Sequence, residues 1–224
     1  MAIATWWSGD ALPNLTPRAG FVVAESRDDR EQAELQRLPL AEIRARRQAG
    51  NVPYVGYLNG TPVTYGWVAR STIAIGEVDL VRELPHTERY LWDFATLPEW
   101  QGHGFYPRLL QGILRQERAE RFWIIYAPEN RPSGAGIHKA GFATVAELSF
   151  DAERVVRLAV LGDPERARAA AAVLGLALVD DPLAPCWHCG TQTEAGCWPE
   201  QQDEAHACTC AIELKSQIPL MVRG

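Results

Sequence analysis

The residues with the clearest chemical potential are Gln101-Gly102-His103-Gly104-Phe105-Tyr106. They follow a strand-like segment, residues 90–97, and open a helix-like segment, residues 107–117. A strand, a glycine turn and a helix together make a phosphate cradle. Glycines let the backbone approach a ligand closely. The first helical turn carries N–H groups with no intrahelical acceptor, and its dipole favours negative charge. Pro107 suits the helix start, where a missing N–H costs nothing. Leu109, Leu110, Ile113 and Leu114 recur on one face, so this helix packs on something. Two glycines also suit an ordinary tight connection. The spacing fits neither the P-loop, which needs a following Lys-Ser/Thr pair, nor the three-glycine dinucleotide turn.

A second chemical cluster lies near the end of the chain. All five cysteines fall at 186, 189, 197, 208 and 210. Cys186 and Cys189 have the two-residue spacing that presents two thiolates to one metal, and Cys208 and Cys210 make a second close pair. Four soft ligands suit a tetrahedral, structural Zn2+ with no open position. Cys197, His188 and His206 are rival ligands. Disulfides or a redox pair, an iron–sulfur cluster, and free cysteines are the competing readings; a reducing compartment counts against stable bridges.

The elements around the glycine turn place it in a larger order. Residues 21–25 read as a strand. Asp28 and Asp29 cap a helix to about Leu38, and residues 40–49 read as a second helix. Residues 52–58 and 62–68 flank Asn59-Gly60, a hairpin signal. After the turn and its helix come a short apolar strand at 122–126, a helix at 130–140 ended by Gly141, and strands at 142–150 and 154–161. The order is β-α-α-β-β-β-α-β-α-β-β. It predicts an α/β fold with a mixed central β-sheet flanked by helices.

With these elements in place, the chain resembles the GNAT (Gcn5-related) N-acetyltransferase superfamily over roughly residues 18–161. Gln101 and Gly104 match the family's pyrophosphate loop, Gln/Arg-x-x-Gly-x-Gly/Ala, with Tyr106 where a small residue is usual. Leu97-Pro98-Glu99-Trp100 looks like the usual approach to that loop. Asn130, Ser133, Lys139, Gly141 and Phe142 match a second motif in register, with Ile137 at its tyrosine position.

The resemblance implies acetyl transfer from acetyl-CoA to an amine, with the cosubstrate between the splayed fourth and fifth strands. Main-chain groups at Phe94, Ala95 and Thr96 would hold the acetyl and pantetheine arm. Gln101, Gly102, His103, Gly104, Phe105 and Tyr106 would form the phosphate loop, where Pro107 has no N–H to give. Asn130 and Ser133 would line the opposite wall. The enzyme must align reactants, take the amine proton and stabilise an oxyanion. Ile137 cannot protonate a thiolate, and Ile125 stands where some relatives carry a glutamate base. A carboxylate on the fourth strand is the remaining base, Asp93 first and Glu88 second, with Tyr90 and Tyr126 nearby in sequence. His138 adjoins position 137 but points about 100° away on a helix, towards the surface.

Hydrophobic content of 47% supports a core, and a net charge of −6 argues against nucleic acid and anionic membrane as partners. No apolar run is long enough to span a membrane, and no basic-then-apolar leader opens the sequence, which predicts a cytoplasmic protein. The partner expected is a small-molecule or protein amine, and a homodimer is compatible with the sequence. Composition shifts after Leu161. Residues 1–161 are expected to form the acetyltransferase-like domain, and 162–224 a helix plus a Cys-rich module. Trp67, Trp92 and Trp123 are expected in the core, Trp6 and Trp7 on a surface or interface, and the charges of the first two helices in solvent. An alternative function stands beside catalysis: a regulatory acyl-CoA-binding protein that engages a partner through the Cys-rich tail.

Overall fold

The computed structural model describes residues 1–180, Leu183 and Trp187. Eleven strands and five helices follow in chain order: β1 (Ala2–Trp7), β2 (Phe21–Glu25), α1 (Asp29–Gln36), α2 (Leu40–Gln48), β3 (Asn51–Leu58), β4 (Thr61–Ala69), β5 (Thr72–Ile75), β6 (Leu80–Glu83), β7 (Glu88–Thr96), α3 (Phe105–Gln116), β8 (Arg121–Tyr126), α4 (Arg131–Ala140), β9 (Ala143–Phe150), β10 (Val156–Val160), α5 (Pro164–Leu174) and β11 (Leu178–Val179). Nine strands form one sheet, in the order β11-β10-β9-β1-β8-β7-β4-β3-β2, and β5 and β6 make a separate hairpin.

One face of the sheet is covered by α3 and α4 over Leu91, Phe122 and Ile124. The other carries α5 and the β5–β6 hairpin over Ile3, Trp123, Leu148 and Leu158. Helix α3 shows why its sequence is helical here. Phe105, Leu109, Leu110, Ile113 and Leu114 are all buried on one side, each contributing about 1.5–3 kcal/mol relative to exposure.

Strand β1 is the main departure from the sequence reading. It inserts between β8 and β9 and pairs antiparallel with both. Its residues Ala2 to Trp6 are buried, so it carries none of the polar alternation that marks a one-sided strand. Trp6 therefore packs in the core, edge-on to Phe122. Trp7 sits between two cations, with the Arg121 and Arg166 guanidinium carbons 4.4 and 4.7 Å from its ring centroid. Arg166 makes two 2.7 Å hydrogen bonds to Asp10, whose carboxyl is held below its usual range chiefly by this arginine.

Helix α5 and strand β11 follow Leu161. Ala167, Ala170 and Leu174 of α5 belong to the same core as β9 and β10, and β11 pairs parallel with β10. The Cys-rich segment lies outside the described residues, apart from Trp187. That tryptophan is buried in the α5-side core and donates from Nε1 to Glu129 at 3.3 Å.

Candidate functional site

Strands β7 and β8 pair in parallel near the middle of the central sheet, and they are joined by α3. Their pairing runs from Glu88 opposite Arg121 to Leu91 opposite Ile124, and no further pairing follows. Beyond Leu91 the two strands part. In open α/β sheets, ligands bind at the carboxyl ends of such strands.

A bulge accompanies the parting. Tyr65 pairs with Ala95 but Trp67 pairs with Trp92, so β7 carries an extra residue. Asp93 absorbs it with a left-handed backbone, φ 53°. Thr64 Oγ1 donates to the Ala95 carbonyl at 2.9 Å, and Gln101 Nε2 donates to the Thr96 carbonyl at 3.2 Å. The expected Phe94–Thr96 segment is thus fixed from the β4 side and from the loop.

From this end of the sheet, β7 and β8 lead into the N-termini of α3 and α4. Gly104 is the N-cap of α3 in a left-handed conformation, φ 73°, with no side-chain cap, and Gly102 has φ 75°. The first-turn amides, Phe105 and Tyr106 among them, keep their anion-binding capacity. Asn130 caps α4 instead, its Oδ1 accepting from the Ser133 amide at 3.1 Å, which leaves its Nδ2 for a ligand. His103 is exposed, in contact with Trp100 and Phe105.

The two carboxylates are not brought together. Glu88 and Asp93 stand five residues apart on β7, about 15 Å at strand spacing. Glu88 is buried below the opening, accepting from Trp123 Nε1 and from Arg121 at 3.3 Å. Asp93 lies at the bulge and pairs with Arg46 of α2. The Arg46 guanidinium is stacked 4.8 Å from Trp92 and 5.5 Å from Trp67, and it also meets Glu42 at 3.1 Å. Its side chain is only 17% exposed, so this charge of the second helix is not on a solvated face. Sequence reasoning missed Arg46 because i,i+4 pairing with Glu42 is also what a solvated helix shows. Tyr65 is near Asp93; burial first, then the Asp93 charge, pushes its hydroxyl up to about 12.

Tyr90 is buried on the α5 side of the sheet. Tyr126 points at β9, its hydroxyl 2.9 Å from Thr144 Oγ1, which also meets exposed His138 at 2.7 Å. Ile137 is fully buried. Among the described residues no cluster of metal-ligating side chains occurs.

The expected fold is present: the predicted strands and helices appear in order, with β1, the β5–β6 hairpin and β11 added. The parting parallel strands β7 and β8 and the glycine turn lie where the resemblance implied them, and the bulge in β7 is an added feature. No family model matches the chain, and no curated protein matches it in sequence. Several solved structures are similar. One is the aminoglycoside acetyltransferase AAC(6')-Ib in complex with coenzyme A and kanamycin, at 16% identity and TM-score 0.46, covering 62% of this chain and 92% of that one. Another is AAC(6')-Iy in complex with a bisubstrate analog, at 15% identity and TM-score 0.44, covering 61% and 100%. A third is a GCN5-related N-acetyltransferase from Kribbella flavida, at 15% identity and TM-score 0.36, covering 55% of this chain and 46% of that one.

Proposed function

We propose that this chain is an acyl-CoA-dependent N-acetyltransferase. The carrying observation is the convergence of the uncapped α3 N-terminus on the opening between β7 and β8. The pyrophosphate would rest on amides from Gly102 to Tyr106, and the thioester arm would run along Phe94–Thr96 towards the bulge. An amine attacks the thioester carbon, its proton passes to a base directly or through water, and the thiolate departs. Asp93 is the carboxylate at the bulge, and Arg46 is its positioning residue. Asp93→Asn is expected to lower kcat for transfer to an amine by about a hundredfold or more, with CoA affinity unchanged in calorimetry. Full activity of that variant across pH would put the base elsewhere.

A second reading is favoured by specific contacts. Ile137 is buried, Glu88 is held by Trp123 and Arg121, and Asp93 is paired with Arg46. A regulatory protein that binds acyl-CoA without turnover would retain the phosphate cradle and need none of these groups free. CoA binding without acetylation of any amine in a panel would select it.

The tail extends either reading. We assign Cys186, Cys189, Cys208 and Cys210 to one structural Zn2+ per chain. Metal analysis of protein purified under reducing conditions should return about one equivalent of zinc. Less than about a tenth of an equivalent, with disulfides found by mass spectrometry, would remove the site. A cytoplasmic location and a homodimer belong to the same proposal. No helix among the described residues is long and apolar enough to cross a membrane.

A further inference from the structure

Tyr106, in the first turn of α3, packs against both β7 and α4. Its ring centroid is 5.7 Å from that of Phe94, two residues from the bulge. Its other side lies on Gly136 of α4, where an added Cβ would come within 2.4 Å of the ring. A glycine inside a helix costs about 1 kcal/mol relative to alanine, and here it makes the seat for this ring. Burial pushes the Tyr106 hydroxyl well above its ordinary value, and the Ser133 side chain of α4 partly offsets this. Contacts from Phe94 of β7 and Gly136 of α4 therefore seat one side chain of the α3 first turn.

The ring sits between the two groups that a long anionic thioester must touch together. On one side are the phosphate-binding amides of its own helix turn; on the other is the bulge strand. We propose that Tyr106 is a gate of the acyl-CoA slot, closed while its ring rests on Gly136 and Phe94. Binding needs the ring to leave its seat on Gly136 and Phe94. A ligand that binds only an open minority is weakened by the fraction open. The residue thereby sets which thioesters enter, since only the full CoA arm gains phosphate contacts that offset displacement of the ring. This inference rests on the acyl-CoA reading above.

The test is calorimetric titration of the full chain with CoA, comparing the parent with Tyr106→Ala, Tyr106→Leu and Tyr106→Phe. Removing the ring should tighten CoA binding about tenfold, the gain expected when a state populated at about a tenth becomes dominant. Leucine keeps apolar contact with Phe94 and Gly136 and guards against a misfolded alanine variant. Phenylalanine keeps the ring and its contacts with Phe94 and Gly136, and should stay within about twofold to threefold of the parent. Unchanged or weaker binding in folded Ala and Leu variants, with parent binding abolished by Gly104→Asp, would overturn the gate while leaving the acyl-CoA site in place. No binding of CoA by the parent or any variant would overturn both.

Discussion

Gly104→Asp is expected to weaken CoA binding by about a hundredfold, on the order of 3 kcal/mol. Three effects act in the same direction. Gly104 has φ 73°, a backbone conformation that costs a non-glycine residue roughly 1–3 kcal/mol when imposed. An added Cβ would meet Arg108 Nη1 at 2.7 Å, the group that donates to the Gly104 carbonyl at 2.6 Å and anchors the turn. The new carboxylate would then stand at the helix N-terminus, occupying the positive field that attracts phosphate. Gly104→Ala separates strain from charge, and a weakening of about tenfold is expected from it. Calorimetry on variants shown folded by circular dichroism reads both. Undiminished CoA binding by folded Gly104→Asp would sink the phosphate-loop assignment.

The largest effect on stability is expected at Glu117, far from the phosphate loop. This residue is the C-cap of α3, with its side chain only 2% exposed. Arg70 Nη2 donates to it at 2.6 Å, Arg89 Nε at 2.8 Å and the Tyr54 hydroxyl at 2.9 Å. A carboxylate at a helix C-terminus opposes the dipole, so the cluster holds against the local field. Burial alone would raise the Glu117 carboxyl; the hydrogen bonds from Arg70, Arg89 and Tyr54 outweigh it and bring it below its ordinary value of 4.5. Glu117→Ala leaves a nearly buried arginine and a buried phenol without their acceptor. Its cost should be about 3–5 kcal/mol, as for other broken buried pairs.

The pH dependence has a definite sign. A depressed carboxyl pKa contributes stability that is present above the unfolded value and lost as pH falls through the folded one. The gap between parent and Glu117→Ala should therefore be constant near neutrality and narrow below pH 4.5. Denaturant melts at several pH values measure it. A loss under about 1 kcal/mol at neutral pH would show the cluster to be no stronger than a surface ion pair. The cluster joins β3, the end of β4, β7 and α3, so it fixes the far end of the helix whose N-terminus forms the phosphate loop.

The parts of this protein written in local sequence were legible. The hairpin at Asn59-Gly60 and the left-handed turn at Gly102 and Gly104 depend on backbone conformations that few residues adopt. The apolar face of α3 follows from a period of 3.6 residues. The Asp-led start of α1 and the Gly141 stop follow from capping chemistry, and the caps at Asp28 and Gly141 are present. Each of these signals is complete within about a dozen residues.

What only the tertiary structure decided involves partners far apart in the chain. Strand β1 is recognisable as a sheet member through β8, as when Thr5 Oγ1 donates to the Phe122 carbonyl across 117 positions. Asp93 could be read as a bare carboxylate until Arg46, 47 positions earlier, was found against it. Glu88 is separated from Asp93 in role because Trp123 and Arg121 on β8 enclose it. Tyr106 was a single mismatch in a motif; its meaning came from Gly136 and Phe94, on two other elements. Periodicity and propensity report what a segment does with its own neighbours. Which distant charge or ring arrives beside it is set by sheet order and register, where one added residue at the β7 bulge changes the direction of every side chain that follows.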